Sequence, residues 1–186
     1  MFRPDNATAM AVYFLMCAPN HALDDLVLMK LMVIAERRCM AETTSLISGA
    51  TFVSMQNGPV LSEVLDLMQG QGDSPTWSRH IKCVPHGGHG TASNHCILRE
   101  GLDVEEYLSD FEIELLASVW GEYKKKSKWD LVEITHTFPE WDESSAETKS
   151  SSPISLKSIF ELGLHQSPDV AQERANEIEY FEALSD

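Results

Sequence analysis

The spacing of apolar residues along the chain predicts a mainly helical protein. Between residues 23 and 41 the apolar positions recur at intervals of three and four: Leu23, Leu26, Val27, Leu31, Ile34 and Ala35. This spacing places the apolar side chains on one face of a helix. Asp24 and Asp25 lie at the start of the segment and Arg37 and Arg38 near its end, which is the arrangement that the helix dipole favours. We therefore predict a helix over residues 23–41 with one buried face.

Similar patterns predict the remaining helices. A first helix ends near Cys17, another begins after Ser109, and others span residues 60–68, 129–138, 153–164 and 168–184. Pro59 fits the first turn of the helix that starts at Val60, and it disfavours a helical conformation at Gly58. Asn57, Gly58 and Pro59 are therefore expected to join a strand to a helix.

Three segments are better suited to strands than to helices. Residues 45–55 are rich in β-branched and small side chains, and the apolar residues 77–84 and 95–98 flank a loop rich in glycine and histidine. The expected fold class is mainly α, a single compact helical domain with a short β hairpin or two short strand pairs.

The chain length is that of one domain. With 186 residues, one hydrophobic core is enough to stabilise the chain. The segment DESSAETKSSS has no large apolar residue and cannot bury enough surface to order itself. We predict a domain over residues 1–145, a polar linker at 146–152, and a C-terminal helical segment at 153–186 that packs on the same domain or serves a partner.

The charge balance narrows the class of partner. The formal net charge is −15, from 29 acidic and 14 basic residues. Nucleic acid binding gains free energy from Lys and Arg that displace counterions, so nucleic acid is not the expected partner. A protein partner with a basic surface is favoured. The apolar run from Ala9 to Ala18 is too short for a membrane span, which needs about 20 residues. With no signal-like start either, a cytoplasmic location and no membrane partner are predicted.

Cysteine and histidine residues raise a metal hypothesis. The four cysteines form no C-x-x-C pair, so we expect reduced thiols in or near the core. Zinc remains an alternative because several potential ligands lie close in sequence: His80, Cys83, His86, His89, His95 and Cys96. Adjacent residues such as His95 and Cys96 point in opposite directions on a strand, which disfavours a shared metal. We expect no metal and no cofactor.

Catalysis has no support from short motifs. The chain contains neither G-x-S-x-G nor H-E-x-x-H, and the glycine-rich loop lacks the lysine of a phosphate-binding loop. An enzyme is therefore not expected.

Several ordered motifs resemble one known family. They are Lys30-Leu31 with Ala35-Glu36-Arg37, then Ile47-Ser48-Gly49, then Asn57 to Ser62, then Leu108-Ser109-Asp110 with Val119-Trp120, and finally Ile134-Thr135-His136 and Pro139-Glu140-Trp141. In this order they resemble the Panacea domain of the SocA-like antitoxins, which occur in bacteria and their phages. Glu36 and Ala50 stand where that pattern usually has Asp.

The resemblance implies a function through protein binding. It implies the antitoxin of a toxin-antitoxin system, which neutralises a cognate toxin by direct contact. The alternatives are a phage or mobile-element module that acts on a host factor, and an adaptor that delivers a bound toxin to a protease. The stoichiometry stays open.

Candidate contact residues lie in two of these motifs. The predicted partner-binding residues are Asn57, Gly58, Pro59, Val60, His136 and Trp141. Tryptophan is common among the residues that dominate interface energies. The alternative is structural: His136 satisfies a buried backbone group or caps a helix, and Trp141 fills the core. Lys30 and Arg37 are expected to pair internally with Glu36 or Asp66.

Overall fold

The fold is mainly helical, as predicted from the sequence. The computed structural model describes residues 1–86, 93–142 and 151–184, with only the backbone at 85, 86 and 93. The helices are α1 (Pro4–Cys17), α2 (Asp25–Thr43), α3 (Ser62–Gln69), α4 (Pro75–His80), α5 (Asp110–Tyr123), α6 (Lys128–His136), α7 (Leu156–Ser158, continued by a π-helical turn, Ile159–Gly163) and α8 (Pro168–Leu184). In the described ranges, no helix is both long enough and apolar enough to cross a bilayer.

Two small antiparallel sheets accompany the helices. The strands are β1 (Ala22–Asp24), β2 (Phe52–Ser54), β3 (Val60–Leu61), β4 (Ile81–His86), β5 (Ser93–Leu98) and β6 (Ser152–Pro153). One three-stranded sheet has the order β1-β5-β4 and the other has the order β3-β2-β6. The glycine- and histidine-rich loop at residues 87–92, between β4 and β5, lies outside the described residues.

Helix α2 lies at the centre of the molecule. Every residue from Leu28 to Glu36 is buried, and the helix packs against α1, α5 and α6. A helix buried on all sides has to place its polar residues against partners inside the protein, because no face is left for solvent. Lys30 and Glu36 are the polar residues of this stretch, and both are fully buried.

Helices α5 and α6 both begin with a capping box. At the start of α5, Glu112 N–H lies 3.4 Å from Ser109 Oγ, and Ser109 N–H donates to the Glu112 carboxylate at 2.8 Å. Ser127 and Asp130 repeat the arrangement at α6, with distances of 3.2 and 2.8 Å. The predicted start after Ser109 is therefore confirmed, and reciprocal capping fixes the entry of the chain into each helix.

Some predicted element boundaries are wrong. Val60 forms strand β3, where it pairs with Val53, so the third helix begins only at Ser62. Leu23 pairs with Cys96 in β1, so α2 begins at Asp25. Trp77, predicted in a strand, lies in α4 because Ser74 Oγ accepts its backbone N–H at 3.1 Å. In each case strand pairing or helix capping decided where the element starts.

The C-terminal segment packs on the same core as the rest of the chain. Its residues in this core are Ile154, Ile159, Phe160, Ala171 and Ile178. Near the end of α8, Glu182 accepts a hydrogen bond from Arg3 at 2.7 Å, which joins the two ends of the chain. Most of the predicted linker lies outside the described residues, and the domain boundaries stay a prediction.

The cysteine prediction was wrong in part. Cys83 and Cys96 lie opposite each other on β4 and β5, with Cα atoms 4.0 Å apart, and they form a disulfide. Their separation of 13 residues carries no recognisable signature, because the pairing depends on the register of the hairpin. Cys39 is free and buried, whereas Cys17 is free and exposed at the end of α1.

Candidate protein-binding site

The turn at Asn57–Pro59 closes tightly onto the centre of the molecule. Gly58 is buried with φ of +90°, and a Cβ atom at this position would lie 2.7 Å from Thr135 Oγ1 and 3.0 Å from Lys30 Nζ. Both the backbone conformation and the space available require glycine. Pro59 is also buried, whereas Asn57 is exposed. The turn therefore presents one polar side chain at the surface above a packed interior.

Lys30 holds this turn from below. Its side chain is fully buried, and Nζ donates a hydrogen bond to the Pro59 carbonyl at 2.7 Å. Burial lowers the pKa of Lys30 to about 7, because the charged form loses its hydration. The predicted pairing of Lys30 with Glu36 or Asp66 is wrong, because the side chain reaches the backbone of the turn instead.

His136 and Trp141 close the other side of the turn. Their rings stack with centroids 3.9 Å apart and an angle of 5° between the planes. The Trp141 indole N–H donates to the Met55 carbonyl at 3.1 Å, and the backbone N–H of Asp142 donates to Ser54 Oγ at 2.9 Å. The chain after α6 is thus fastened to the segment that precedes Gly58. The structure brings the predicted site residues to one place, and their role in binding stays a prediction.

Glu36 and Arg37 hold other parts of the chain. The Glu36 carboxylate accepts hydrogen bonds from the backbone N–H groups of Ile47 and Ser48 at 2.6 and 2.7 Å. Burial raises the pKa of Glu36, and these hydrogen bonds oppose that rise. Arg37 pairs with Glu140 at 2.6 Å, so its predicted pairing with Glu36 or Asp66 is also wrong. Both residues fix long connections between helices.

A cleft opens beside the turn, between the start of α2, α3 and the start of α6. Its volume is about 670 Å³, and it is lined by Asp24, Asp25, Leu26, Met29, Asn57, Val60, Leu65, Met68, Lys128 and Trp129. We call it the main cleft. Trp129 is 58% exposed at its edge. Trp129 was not among the contact residues predicted from the sequence. The sequence does contain a signal for it, because a large aromatic residue between two charged ones, Lys128 and Asp130, on a short helix is expected at the surface.

A second, smaller groove lies next to the main cleft. It has a volume of about 300 Å³ and is lined by Pro19, Leu23, Asp24, Val27, Leu31, Trp120, Tyr123, Lys124, Lys126, Ser127 and Lys128. We call it the side groove. The ion pair between Lys128 and Asp24, at 3.2 Å, lines both depressions. The two therefore form adjoining parts of one surface.

The suggested zinc ligands are only partly described. Cys83 and Cys96 are consumed by the disulfide, and His80 Nδ1 lies 2.9 Å from the Glu100 carbonyl oxygen. His89 and the side chain of His86 lie outside the described residues. Among the side chains that are described, no three His, Cys, Asp or Glu residues are grouped so that they could hold a metal ion.

Comparison with known proteins identifies the family. The family model described as "Antitoxin SocA-like, Panacea domain" matches residues 28–142, which is more than half of the chain. The chain belongs to this antitoxin-like family. The match contains the turn, the residues that hold it (Lys30, His136 and Trp141), and the main-cleft residues from Met29 onward. Helix α1 and the C-terminal segment lie outside the match. No curated protein and no solved structure matches the chain.

Proposed function

We propose that the chain is an antitoxin that neutralises a cognate toxin by binding it directly. The observation that carries this proposal is the match to the SocA-like antitoxin family over residues 28–142. In the physical mechanism, this chain covers the surface that the toxin needs for its activity. A stable interface of about 1,600 Å² in total is sufficient for tight binding when a few aromatic residues anchor it.

The predicted contact residues divide into two roles in this proposal. Asn57 is exposed and lines the main cleft, so it contacts the toxin directly. Gly58, Pro59 and Val60 are buried, and the stacked His136 and Trp141 fasten the same segment. These residues contribute by holding the turn in one conformation, which lowers the entropy lost on binding.

The overall charge favours a toxin with a basic surface. With a net charge of −15, the chain attracts a cationic partner over distances of about a Debye length, near 10 Å at 0.1 M salt. The association rate constant is then expected to fall as salt is added, while the dissociation rate constant changes less.

The proposal is tested with the gene adjacent to the one that encodes this chain. Expression of the neighbour alone is expected to arrest growth, and co-expression with this chain is expected to restore growth and give a complex that co-purifies. A harmless neighbour, or one that never co-elutes with the chain, contradicts the proposal. If growth is restored while the neighbour's product is degraded, the chain acts as a protease adaptor instead.

A further inference from the structure

The connection between α5 and α6 carries a local concentration of positive charge. Lys124, Lys125, Lys126 and Lys128 supply four of the 14 Lys and Arg residues of the chain within five positions. Lys124, Lys125 and Lys126 are exposed, and we call these three residues the lysine ridge. The ridge is therefore cationic on a protein whose net charge is −15.

The lysine ridge is available to a partner. None of its three residues forms an ion pair with another residue in the described parts of the chain. The acidic residues around it are already engaged. Glu122 pairs with Arg38, Asp24 pairs with Lys128, and Asp130 accepts the Ser127 N–H at 2.8 Å. Among the described residues, a partner carboxylate can therefore approach the ridge without displacing one of its lysines from an ion pair.

Apolar side chains lie directly beside the ridge. Lys124 and Lys126 line the side groove together with Leu31, which is almost fully buried, and with Trp120 and Tyr123. Across the Lys128–Asp24 ion pair, the main cleft offers Met29 and the exposed Trp129. An apolar depression with cations on one rim fits a segment that carries an apolar anchor next to acidic residues.

We propose that the main cleft, the side groove and the lysine ridge together bind an acidic, apolar-anchored segment of the partner protein. This inference rests on the proposed antitoxin function, since the partner would be the toxin. The apolar anchor of the segment packs against Trp129 in the main cleft, and its carboxylates pair with Lys124 and Lys126.

Local and overall charge then have different effects on binding. The acidic surface as a whole attracts a basic toxin, whereas the lysine ridge repels the basic face of that toxin and accepts its acidic segment. Opposite signs at different places fix the orientation of a complex, because the misaligned arrangements bring like charges together.

The test compares matched charge reversals in the full-length chain. Lys124→Glu and Lys126→Glu alter the ridge, and Lys82→Glu makes the same charge change at an exposed residue of β4 that lines neither depression. If overall charge alone mattered, every reversal would tighten binding to a basic toxin. We expect the two ridge variants to weaken binding by about tenfold each, and the Lys82 variant to bind as tightly as the unmodified chain or more tightly.

Titration calorimetry with the purified toxin at low and high salt measures these affinities. Trp129→Ala is expected to raise the dissociation constant by about tenfold or more at both salt concentrations, because the lost contact is apolar. The losses in the ridge variants are expected to shrink at high salt. Ridge variants that bind as tightly as the unmodified chain, with unchanged melting temperatures, would overturn the inference and leave the antitoxin function intact.

A second measurement does not depend on the toxin. A synthetic peptide of alternating Glu and Leu residues is expected to shift the amide resonances of residues 124–129 of the labelled chain, and a peptide with Lys in place of Glu is not. If neither peptide shifts these resonances, or if both shift them equally, the proposal that an acidic segment binds here is wrong. Displacement of the acidic peptide by a duplex oligonucleotide at physiological salt would assign the ridge to nucleic acid and also overturn the inference.

Discussion

At the scale of single residues, the turn at Asn57–Pro59 depends on Gly58 and Lys30, which other residue types could not replace without loss of stability. Gly58 occupies a positive φ against Thr135, and Lys30 reaches the Pro59 carbonyl from inside the protein. Buried polar groups require partners, so each of these residues fixes its neighbour. Substitutions of Gly58 or Lys30 are expected to lower the stability of the fold, and to weaken partner binding only because the turn is then less well held.

Gly58→Ala is expected to destabilise the protein by about 3 kcal/mol, since strain at positive φ adds to a clash with Thr135. Two other glycines serve as controls that separate the backbone strain from the clash. Gly70 has φ of +71° with open space around it, and Gly101 has open space without a positive φ. Urea unfolding should rank Gly58→Ala as most damaging, Gly70→Ala next at about 1 kcal/mol, and Gly101→Ala last. Equal losses at Gly58 and Gly70 would show that the contact with Thr135 contributes nothing.

Lys30 is expected to make stability depend on pH in the alkaline range. Its pKa is about 7 in the folded protein, below the value of about 10.4 for an unperturbed lysine. Between these values the unfolded chain binds more protons, so stability rises with pH, by at most about 1.4 kcal/mol per unit. Below pH 7 Lys30 is protonated in both the folded and the unfolded chain, so its contribution to the free energy of unfolding no longer changes with pH.

The control for this effect is Lys30→Met, which cannot titrate. The difference in unfolding free energy between the unmodified chain and this variant should change steadily from pH 7 to pH 10 in favour of the unmodified chain. Parallel stability curves for the two proteins over that range would mean that Lys30 keeps an ordinary pKa.

At the scale of elements, capping and strand pairing set the boundaries. The apolar spacing placed α2 within two residues of its true ends, because a helix with this pattern has few other ways to bury its side chains. The same approach misplaced Val60 and Trp77, since a short apolar run suits either a helix or a strand. Pairing with Val53 decided the first case, and the Ser74 cap decided the second.

The β4–β5 hairpin is expected to depend on its disulfide. Cys83 and Cys96 enclose a short loop, and a closure of this length contributes about 3 kcal/mol in the chain-entropy treatment. Under denaturing conditions without reductant, a thiol assay should detect only Cys17 and Cys39. Reductant should expose two further thiols and lower the melting temperature. Four reactive thiols before reduction would contradict the cross-strand bond.

At the scale of the whole molecule, the two ends of the chain contribute to a core that the family match does not fully cover. Helix α1 and the segment from Ile154 to Ile178 both pack against the central helix and its neighbours. The match to residues 28–142 therefore covers the turn and the central helix but leaves out other residues of the same core.

Phe160→Ala is expected to cost about 3 to 5 kcal/mol, because the side chain is fully buried and its removal leaves a cavity. Leu162→Ala lies in the same π-helical turn but removes a side chain that is 47% exposed, so it should cost less than about 1 kcal/mol. Calorimetry should give one cooperative transition for both variants. A separate low-temperature transition in Phe160→Ala would show that the C-terminal segment folds on its own.

The sequence by itself determined the helical class, the position of the central helix, the caps of α5 and the family. Local spacing and short-range hydrogen bonds govern these features, and both are visible along the chain. Only the tertiary structure decided that Lys30 supports Pro59, that Arg37 pairs with Glu140, and that Cys83 meets Cys96. These contacts join residues far apart in the chain or depend on strand register. The lysine ridge was visible as a run of lysines, but the grooves beside it exist only because α2, α3, α5 and α6 pack together.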